Sequence, residues 1–304
     1  MEERFKNLSE YIDRETKDKD RILKKKRLST GIFIMDKYTG GLNPGELVVI
    51  ASRPSIGKTA LALSLAVNMA FGSDSVSIGF FTMEMDGQEL MKRVMANVGK
   101  IDLSELRRES RDENTASRIA MVAEQLLARS DNILICDDPH LRLSDICYLI
   151  RNMVYSHGVK AIFIDYLGMV DSDRSDGDHL SRRERISIIS ERLKQLAREL
   201  GITIICLCEV NSCPVENDRA PTIADLKNSG SIEHDADLII LLDDPVFRYR
   251  LQHDESSTDR EHDGIYQDGN FRRVLIAKNR NGCIGLFGLK FLPEYSRFEE
   301  IQYP

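Results

Sequence analysis

The stretch ELVVIASRPSIGKTALAL, residues 46 to 63, limits what this chain can fold into more than any other feature. A β-branched apolar run ending at Ser52 predicts a buried strand, and ALALSLAVNMAF, from Ala60 to Phe71, predicts a buried helix. Gly57, Lys58 and Thr59 fit the end of the phosphate-loop pattern GxxxxGK[ST], while Ser52 stands where that pattern has its first glycine. Strand, loop and helix come in the required order. The loop's N–H groups and the positive helix N-terminus then face an anion, so binding follows from geometry more than from side chains. Ser52, Arg53, Pro54, Ser55, Ile56, Gly57, Lys58, Thr59 and Ala60 form the expected nucleotide cradle. Lys58 adds a point charge near the β and γ phosphates and the Thr59 hydroxyl is a ligand for magnesium. Gly57 is expected because the backbone must approach the ligand closely. Ser52 is tolerable because Pro54 stiffens the loop and its position needs only a small residue. A chance Gly-Lys-Thr at a turn loses to this reading once the flanking strand and helix are counted.

The pattern continues as alternating strands and helices. SIGFFTMEM reads as a strand, followed by a helix through Val98; residues 115–130 read as a helix, NILICDD as a strand, and LSDICYLIRNMVYSHG as a helix ending at Gly158. KAIFIDYLGMV begins the next strand. RERISIISERLKQLAREL places Ile186, Ile189, Leu193, Leu196, Ala197 and Leu200 on one helical face. TIICLCEV, DLIILLD, RRVLIAK and LFGLKFL complete the strands. Near-continuous apolar strands between helices predict an α/β fold with a mainly parallel central sheet, helices on both faces, and antiparallel last strands. Ligands are expected at the carboxyl ends of the strands. DSDRSDGDHLSRR (Asp171–Arg183) has the composition of a mobile loop, and residues 247–271 that of a long polar insertion.

Composition narrows the class. One large α/β domain plus a tail suits 304 residues. Residues 1–27 are a charged segment ending in DRILKKKR, read as a solvated linker or helix with a nucleic-acid or partner contact as the minority alternative. Residues 28–304 are the globular domain. With 42% hydrophobic and 30% charged residues the chain reads as soluble and globular. It has no apolar run of the ~18–20 residues a membrane span needs, and its first residues are too charged for a signal peptide. A cytoplasmic protein with no membrane partner is expected. Net charge, 42 minus 49 or −7, argues against a surface coated for nucleic acid, but not against a local basic channel. The six cysteines lack zinc-site spacing and read as reduced thiols.

Nucleotide hydrolysis needs a magnesium partner, a residue that positions water, and positive charge on the transition state. AIFIDY ends a strand in Asp165, the candidate magnesium carboxylate. Glu84, closing the run GFFTME at the same sheet edge, is the candidate that orients and deprotonates water. Lys278 and Arg280, two residues apart in IAKNRNG, have no acidic partner within that stretch and are expected to await an anion, such as the γ-phosphate of a neighbouring subunit.

Together RLSTGIFIMDKYTGGLNPGELVVIASRPSIGKTALAL, FFTMEM, AIFIDYLGMV, RERISIISERLKQLAREL, DLKNSGSIEHDADLIILL and IAKNRNGCIG resemble, in order, the motifs of the ATPase domain of bacterial replicative DNA helicases of the DnaB type. The likeness covers roughly residues 28–301, and the S-G-S-I-E and K-x-R-N-G segments separate it from recombinases of the RecA class. The resemblance implies a RecA-like P-loop NTPase, an ATP hydrolase forming a homo-oligomeric ring, usually a hexamer. ATP and Mg2+ would lie between subunits and single-stranded DNA in the channel, with a primase or loader as possible further partners. It makes Lys58 and Thr59 the phosphate and magnesium residues, Asp165 the magnesium aspartate and Glu84 the water-activating glutamate. Lys278 and Arg280 become cations lent to the neighbour's ATP. Lys227, Asn228 and Gly230 match the loop that contacts the DNA backbone. Departures accompany it: Glu209 stands where a glutamine usually senses the γ-phosphate, Ser212 where arginine is usual, Gly168 where glutamine is common, and Lys227 where arginine is. A carboxylate at 209 would repel the phosphate unless protonated or paired. The family's separate N-terminal helical domain is not expected within these residues, and residues 1–27 are the candidate linker. The alternatives are a degenerate RecA-like ATP-binding regulatory module that does not unwind processively, and a recombination-type ATPase.

Overall fold

Strand β1 (Leu47–Ser52) is buried at every position, and its alternate residues serve two different cores. Val48 and Ile50 face one, Leu47, Val49 and Ala51 the other, as the two-residue period of a strand dictates when both sheet faces are covered. The computed structural model describes residues 8, 27–110, 112–171, 181–210, 219–229, 231–246 and 269–301. Within them β1 is joined by β2 (Ile78–Thr82), β3 (Ile133–Cys136), β4 (Ala161–Asp165), β5 (Thr203–Glu209), β6 (Leu238–Asp243), β7 (Phe271–Asn279), β8 (Gly285–Leu292) and β9 (Arg297–Glu300). The sheet order is β3-β2-β4-β5-β1-β6-β7-β8-β9. Neighbours from β3 to β6 pair in parallel, and β6 through β9 pair antiparallel, as expected.

Eight helices accompany these strands among the described residues: α1 (Phe33–Thr39), α2 (Lys58–Phe71), α3 (Gly87–Gly99), α4 (Leu103–Arg107), α5 (Glu113–Leu127), α6 (Leu143–His157), α7 (Arg182–Leu200) and α8 (Ile232–Asp235). On one face α2 packs Leu61, Leu65 and Met69 with Ile50, Phe80 and Phe163. On the other, α6 and α7 bring Ile146, Ile150, Ile189, Leu193 and Leu196 onto Val49, Ile162 and Ile204. A third cluster, Met95, Ile101, Leu106 and Val122, joins α3, α4 and α5.

Local chemistry explains the ends. α7 begins at the Ser181 capping box with Glu184. α6 ends where Gly158 takes the left-handed conformation, φ 66°, as its glycine predicts. Three strands stop earlier than the apolar runs suggest. β2 ends at Thr82 because the Thr82 hydroxyl turns onto the Met85 carbonyl at 2.8 Å, closing Met83–Asp86 into a turn. β3 ends at Cys136 before Asp137 and Asp138, and β4 ends at Asp165, followed by a 3-10 turn at Leu167–Met169. Of the expected loop and insertion, residues 172–180 and 247–268 lie outside the described residues, as does most of segment 1–27.

Phe80 and Phe163, both at most 1% exposed, stack at 5.6 Å between β2 and β4. Phe163→Ala is therefore expected to lower stability by about 3–5 kcal/mol, read from the urea denaturation midpoint; a loss below about 1 kcal/mol would mean that this face is loosely packed.

Candidate functional site

The parallel strands deliver their carboxyl ends to one edge of the sheet, where β1 opens into the loop before α2. Ser52 is still strand, paired with Glu209 on β5 and Leu242 on β6, and its hydroxyl donates to the Arg53 carbonyl at 2.7 Å. The loop's left-handed residues come later, at Ser55 (φ 65°) and Gly57 (φ 109°). A serine therefore serves where the pattern has a glycine, because position 52 does not ask for glycine's backbone freedom. Pro54 and Ser55 are exposed at the loop's tip, while Ile56 and Ala60 are buried in the core beneath it.

Gly57 has a second reason beyond ligand approach. A Cβ there would lie 3.3 Å from the rings of Phe291 and Phe298, which stack 4.7 Å apart on β8 and β9. The loop's rear is thus shaped by the antiparallel strands.

Lys58 opens α2, buried along its stem, with Nζ 5.3 Å from the centroid of the Tyr166 ring. Next to it the Thr59 hydroxyl donates to Asp165 Oδ2 at 2.7 Å. Asp165 is fully buried and its Oδ1 has no partner among the described residues. Burial raises its pKa above the ordinary carboxyl value; the Thr59 hydrogen bond and the Lys58 charge oppose this, and the Glu84 charge adds to it. A half-satisfied buried carboxylate is costly until a cation meets it. Its oxygen, with the Thr59 hydroxyl, suits a hard cation that keeps water and phosphate oxygens as its other ligands, so these residues fit magnesium.

Glu84 lies two residues past the end of β2, exposed on the turn that Thr82 closes, at the Asp165 edge. Glu209 ends β5 in register with Ser52, and its negative charge helps raise the pKa of Tyr166 behind the effect of burial. Both carboxylates lie at the sheet edge where β1 opens into the loop.

Lys278 and Arg280 are not at this edge. β7 runs antiparallel to β6, so its end meets the start of β6, and the Arg280 N–H donates to the Asp237 carbonyl at 2.9 Å. The six residues of β1 separate that end from the loop, a length of roughly 15–20 Å. Within IAKNRNG neither cation has an acidic partner, as expected, but outside that stretch Arg280 has one. Arg280 pairs with Asp237 at 3.3 Å and donates to the His234 carbonyl at 2.6 Å, and Lys278 donates to the Glu233 carbonyl at 2.5 Å. The partner comes from 43 residues earlier, so no inspection of IAKNRNG alone finds it. Burial first, and then the Arg280 charge, lowers the Lys278 pKa. Lys227 and Asn228 belong to a 3-10 helix, Ile223–Ser229, and Gly230 and Ser212 lie outside the described residues.

Two side chains to which the sequence reading gave no role complete the arrangement. Asp237, 6% exposed, accepts from the Leu47 N–H at 2.8 Å and Lys194 at 2.6 Å as well as from Arg280. Arg272, at the start of β7, donates from Nε to the Ile56 carbonyl at 3.1 Å and pairs with Asp244 at 2.9 Å. Each is a charged residue beside an apolar strand, and the only sequence signal was that a charge so placed needs a buried partner.

A family model described as DnaB-like helicase C-terminal domain matches residues 27–300. The chain is 32% identical over 276 residues to replicative DNA helicase DnaC of Bacillus subtilis, and 33% identical over 276 residues to replicative DNA helicase DnaB of Geobacillus stearothermophilus; each alignment covers 90% of this chain and 57% of the relative. The chain thus spans little more than half the length of these curated relatives. Among solved structures, the ATPase domain of G40P superposes with a TM-score of 0.80 at 28% identity, covering 98% of this chain and all of that one. A DnaB-like replicative helicase, described with its interactions with primase, superposes at 0.79 and 28% identity over 98% of this chain and 68% of its own. The sheet and its helices are those of the RecA-like ATPase fold in these structures.

Asp165 gives a pH signature. Its folded pKa lies above the ordinary 3.8, so its contribution to stability is full below about pH 4 and is lost as pH rises through the raised value. Asp165→Asn is expected to raise the thermal midpoint of the nucleotide-free protein at pH 7, with the gap from wild type closing as pH falls toward 4; equal midpoints at both pH values would show that the carboxylate carries no burial cost.

Proposed function

The chain belongs to the DnaB-like helicase C-terminal domain family, and from that premise we propose that residues 28–304 form the ATP-hydrolysing motor of a ring-shaped replicative DNA helicase that moves along single-stranded DNA. The observation that supports this most directly is the buried Asp165 carboxylate, one oxygen held by Thr59 and the other without a partner among the described residues, beside Lys58 at a helix N-terminus.

In this reading the loop from Ser52 to Ala60 holds the ATP phosphates. Backbone N–H groups and the Lys58 ammonium supply donors, and the helix dipole favours the anion. Thr59 and Asp165 would hold Mg2+, which would supply positive charge to the bound phosphates. Glu84, exposed and beside Asp165, accepts a proton from a water placed for in-line attack. Glu209 faces the γ-phosphate side from β5.

Lys278 and Arg280 are too far from their own chain's loop to reach its nucleotide, so they serve a neighbouring copy, which calls for a homo-oligomer closed as a hexameric ring. Both donate to carbonyls of α8. That helix follows Lys227, Asn228 and Gly230, the candidate contacts to the DNA backbone. A shift of the cations onto a neighbour's γ-phosphate would therefore be felt at the DNA loop, which is what coupling hydrolysis to translocation requires. Strand movement would take place in the cytoplasm, with a primase or loader as further partners. No helix among the described residues is long and apolar enough to cross a membrane.

A second reading, an ATP-binding regulatory module without processive unwinding, is favoured by one observation, the Glu209 carboxylate beside the cradle. Glu209→Gln separates the two: faster unwinding means that the carboxylate restrains a motor, and an unchanged absence of unwinding supports the module.

The motor reading makes two further expectations. Turnover should rise with added single-stranded DNA and fall about 10²–10⁴-fold in Glu84→Gln with ATP still bound; turnover indifferent to both DNA and this substitution sinks the motor. Lys58→Ala and Arg280→Ala proteins, each inactive alone, should regain part of the ATPase activity when mixed, because mixed rings contain some interfaces with both residues intact. Failure to complement in rings shown to be mixed would place the cations outside the neighbour's site.

A further inference from the structure

We propose that Arg272 is a positioning residue for nucleotide binding, which keeps the Gly57 N–H aimed into the phosphate cradle by holding the Ile56 carbonyl behind it; this rests on the reading of the loop as an ATP site.

The geometry begins with one peptide plane. The Ile56–Gly57 bond is trans, so the Ile56 C=O and the Gly57 N–H point in opposite directions. Arg272 Nε donates to that carbonyl at 3.1 Å from the sheet side. The N–H is therefore turned away from Arg272, toward the open side of the loop. Among the described residues no backbone carbonyl accepts it. A donor of this kind is what an anion at a helix N-terminus uses.

Nothing in residue 57 itself fixes this direction. Rotating the plane changes ψ at Ile56 and φ at Gly57, and glycine accepts φ of either sign. The residue that gives the loop its left-handed turn thus also leaves it free to reverse the amide. Once reversed, the carbonyl would meet the phosphates. Arg272 opposes this with a charge-assisted hydrogen bond that the reversed plane would break.

Arg272 is itself held from several directions. It is 8% exposed, pairs with Asp244 at 2.9 Å, donates through Nη1 to the Gly269 and Phe271 carbonyls at 2.9 Å each, and lies 5.2 Å from the centroid of the Phe291 ring. Phe291 in turn touches the place where a Cβ on Gly57 would stand. The guanidinium and the ring therefore support the same peptide, one by hydrogen bonding and the other by contact. A buried ion pair alone would not need Nε directed at a loop carbonyl.

The test measures ADP affinity with a fluorescent ADP analogue, ATPase KM and kcat, and thermal midpoints without nucleotide, for wild type, Arg272→Lys and Asp244→Asn. Lysine keeps the positive charge for Asp244 and loses the planar fork that reaches Ile56 and Gly269 together. Arg272→Lys is expected to bind ADP about tenfold or more weakly, with KM raised in step, kcat at saturating ATP changed much less, and a midpoint near wild type. Asp244→Asn, which leaves the Arg272–Ile56 bond in place, is expected to keep wild-type ADP affinity whatever its midpoint. Wild-type affinity in Arg272→Lys would overturn the proposal, as would equal weakening in the two variants, which would assign the effect to the ion pair. If wild type itself binds no ADP, the nucleotide site and this proposal fall together, an outcome distinct from the other two.

Discussion

The arrangement depends on a carboxylate kept dry. Asp165 ends a strand buried on both faces, and among the described residues only the Thr59 hydroxyl donates to one of its oxygens. Removing a charge from water without a full set of partners is unfavourable, and the raised pKa is the same fact seen from the proton's side. A fold selected for stability alone would place an apolar or neutral group there. Retaining the carboxylate makes sense where a cation arrives with a ligand, and Lys58 and the start of α2 suit an anion rich in oxygen.

The sheet's mixed direction then divides the labour. Because β1, β2, β4, β5 and β6 are parallel, the cradle, Glu84, Asp165 and Glu209 collect at one edge. Because β7 returns, its first residues underlie the cradle and its last reach the opposite edge. One strand thus carries Arg272 to the loop of its own chain and Lys278 and Arg280 to a surface facing away from it. That polarity suits a repeating assembly in which each copy gives a cradle on one side and cations on the other. Asp237 ties the second edge together: it joins β1, α7 and Arg280 through a single buried carboxylate.

Much of this was legible in the sequence for simple reasons. Strand–loop–helix order, the apolar runs and the helical face of residues 182–200 follow from local periodicity, and local periodicity is what a sequence displays directly. The glycine at 57 and the carboxylates at 84 and 165 could be read because each closes or follows a recognisable strand. Strand ends were less legible: the β2 run looked longer than it is because Thr82 turns the chain through its hydroxyl, a choice that hydrophobicity does not record. The ion-pair partner of Arg280 was not legible in IAKNRNG because Asp237 stands just before β6, 43 residues earlier.

The sequence by itself determined the order of strands and helices, the phosphate-loop register and the residue types that nucleotide chemistry requires, because these depend on spacing along one chain. Only the tertiary structure decided that Ser52 needs no glycine backbone, that Gly57 is hemmed in by Phe291 and Phe298, that Arg272 braces the loop, and that the basic turn lies at the far edge beside Asp237. Those are relations between residues as many as 241 positions apart (Gly57 and Phe298). They are set by strand direction and by the need of buried charge for a partner, neither of which is written in any short stretch.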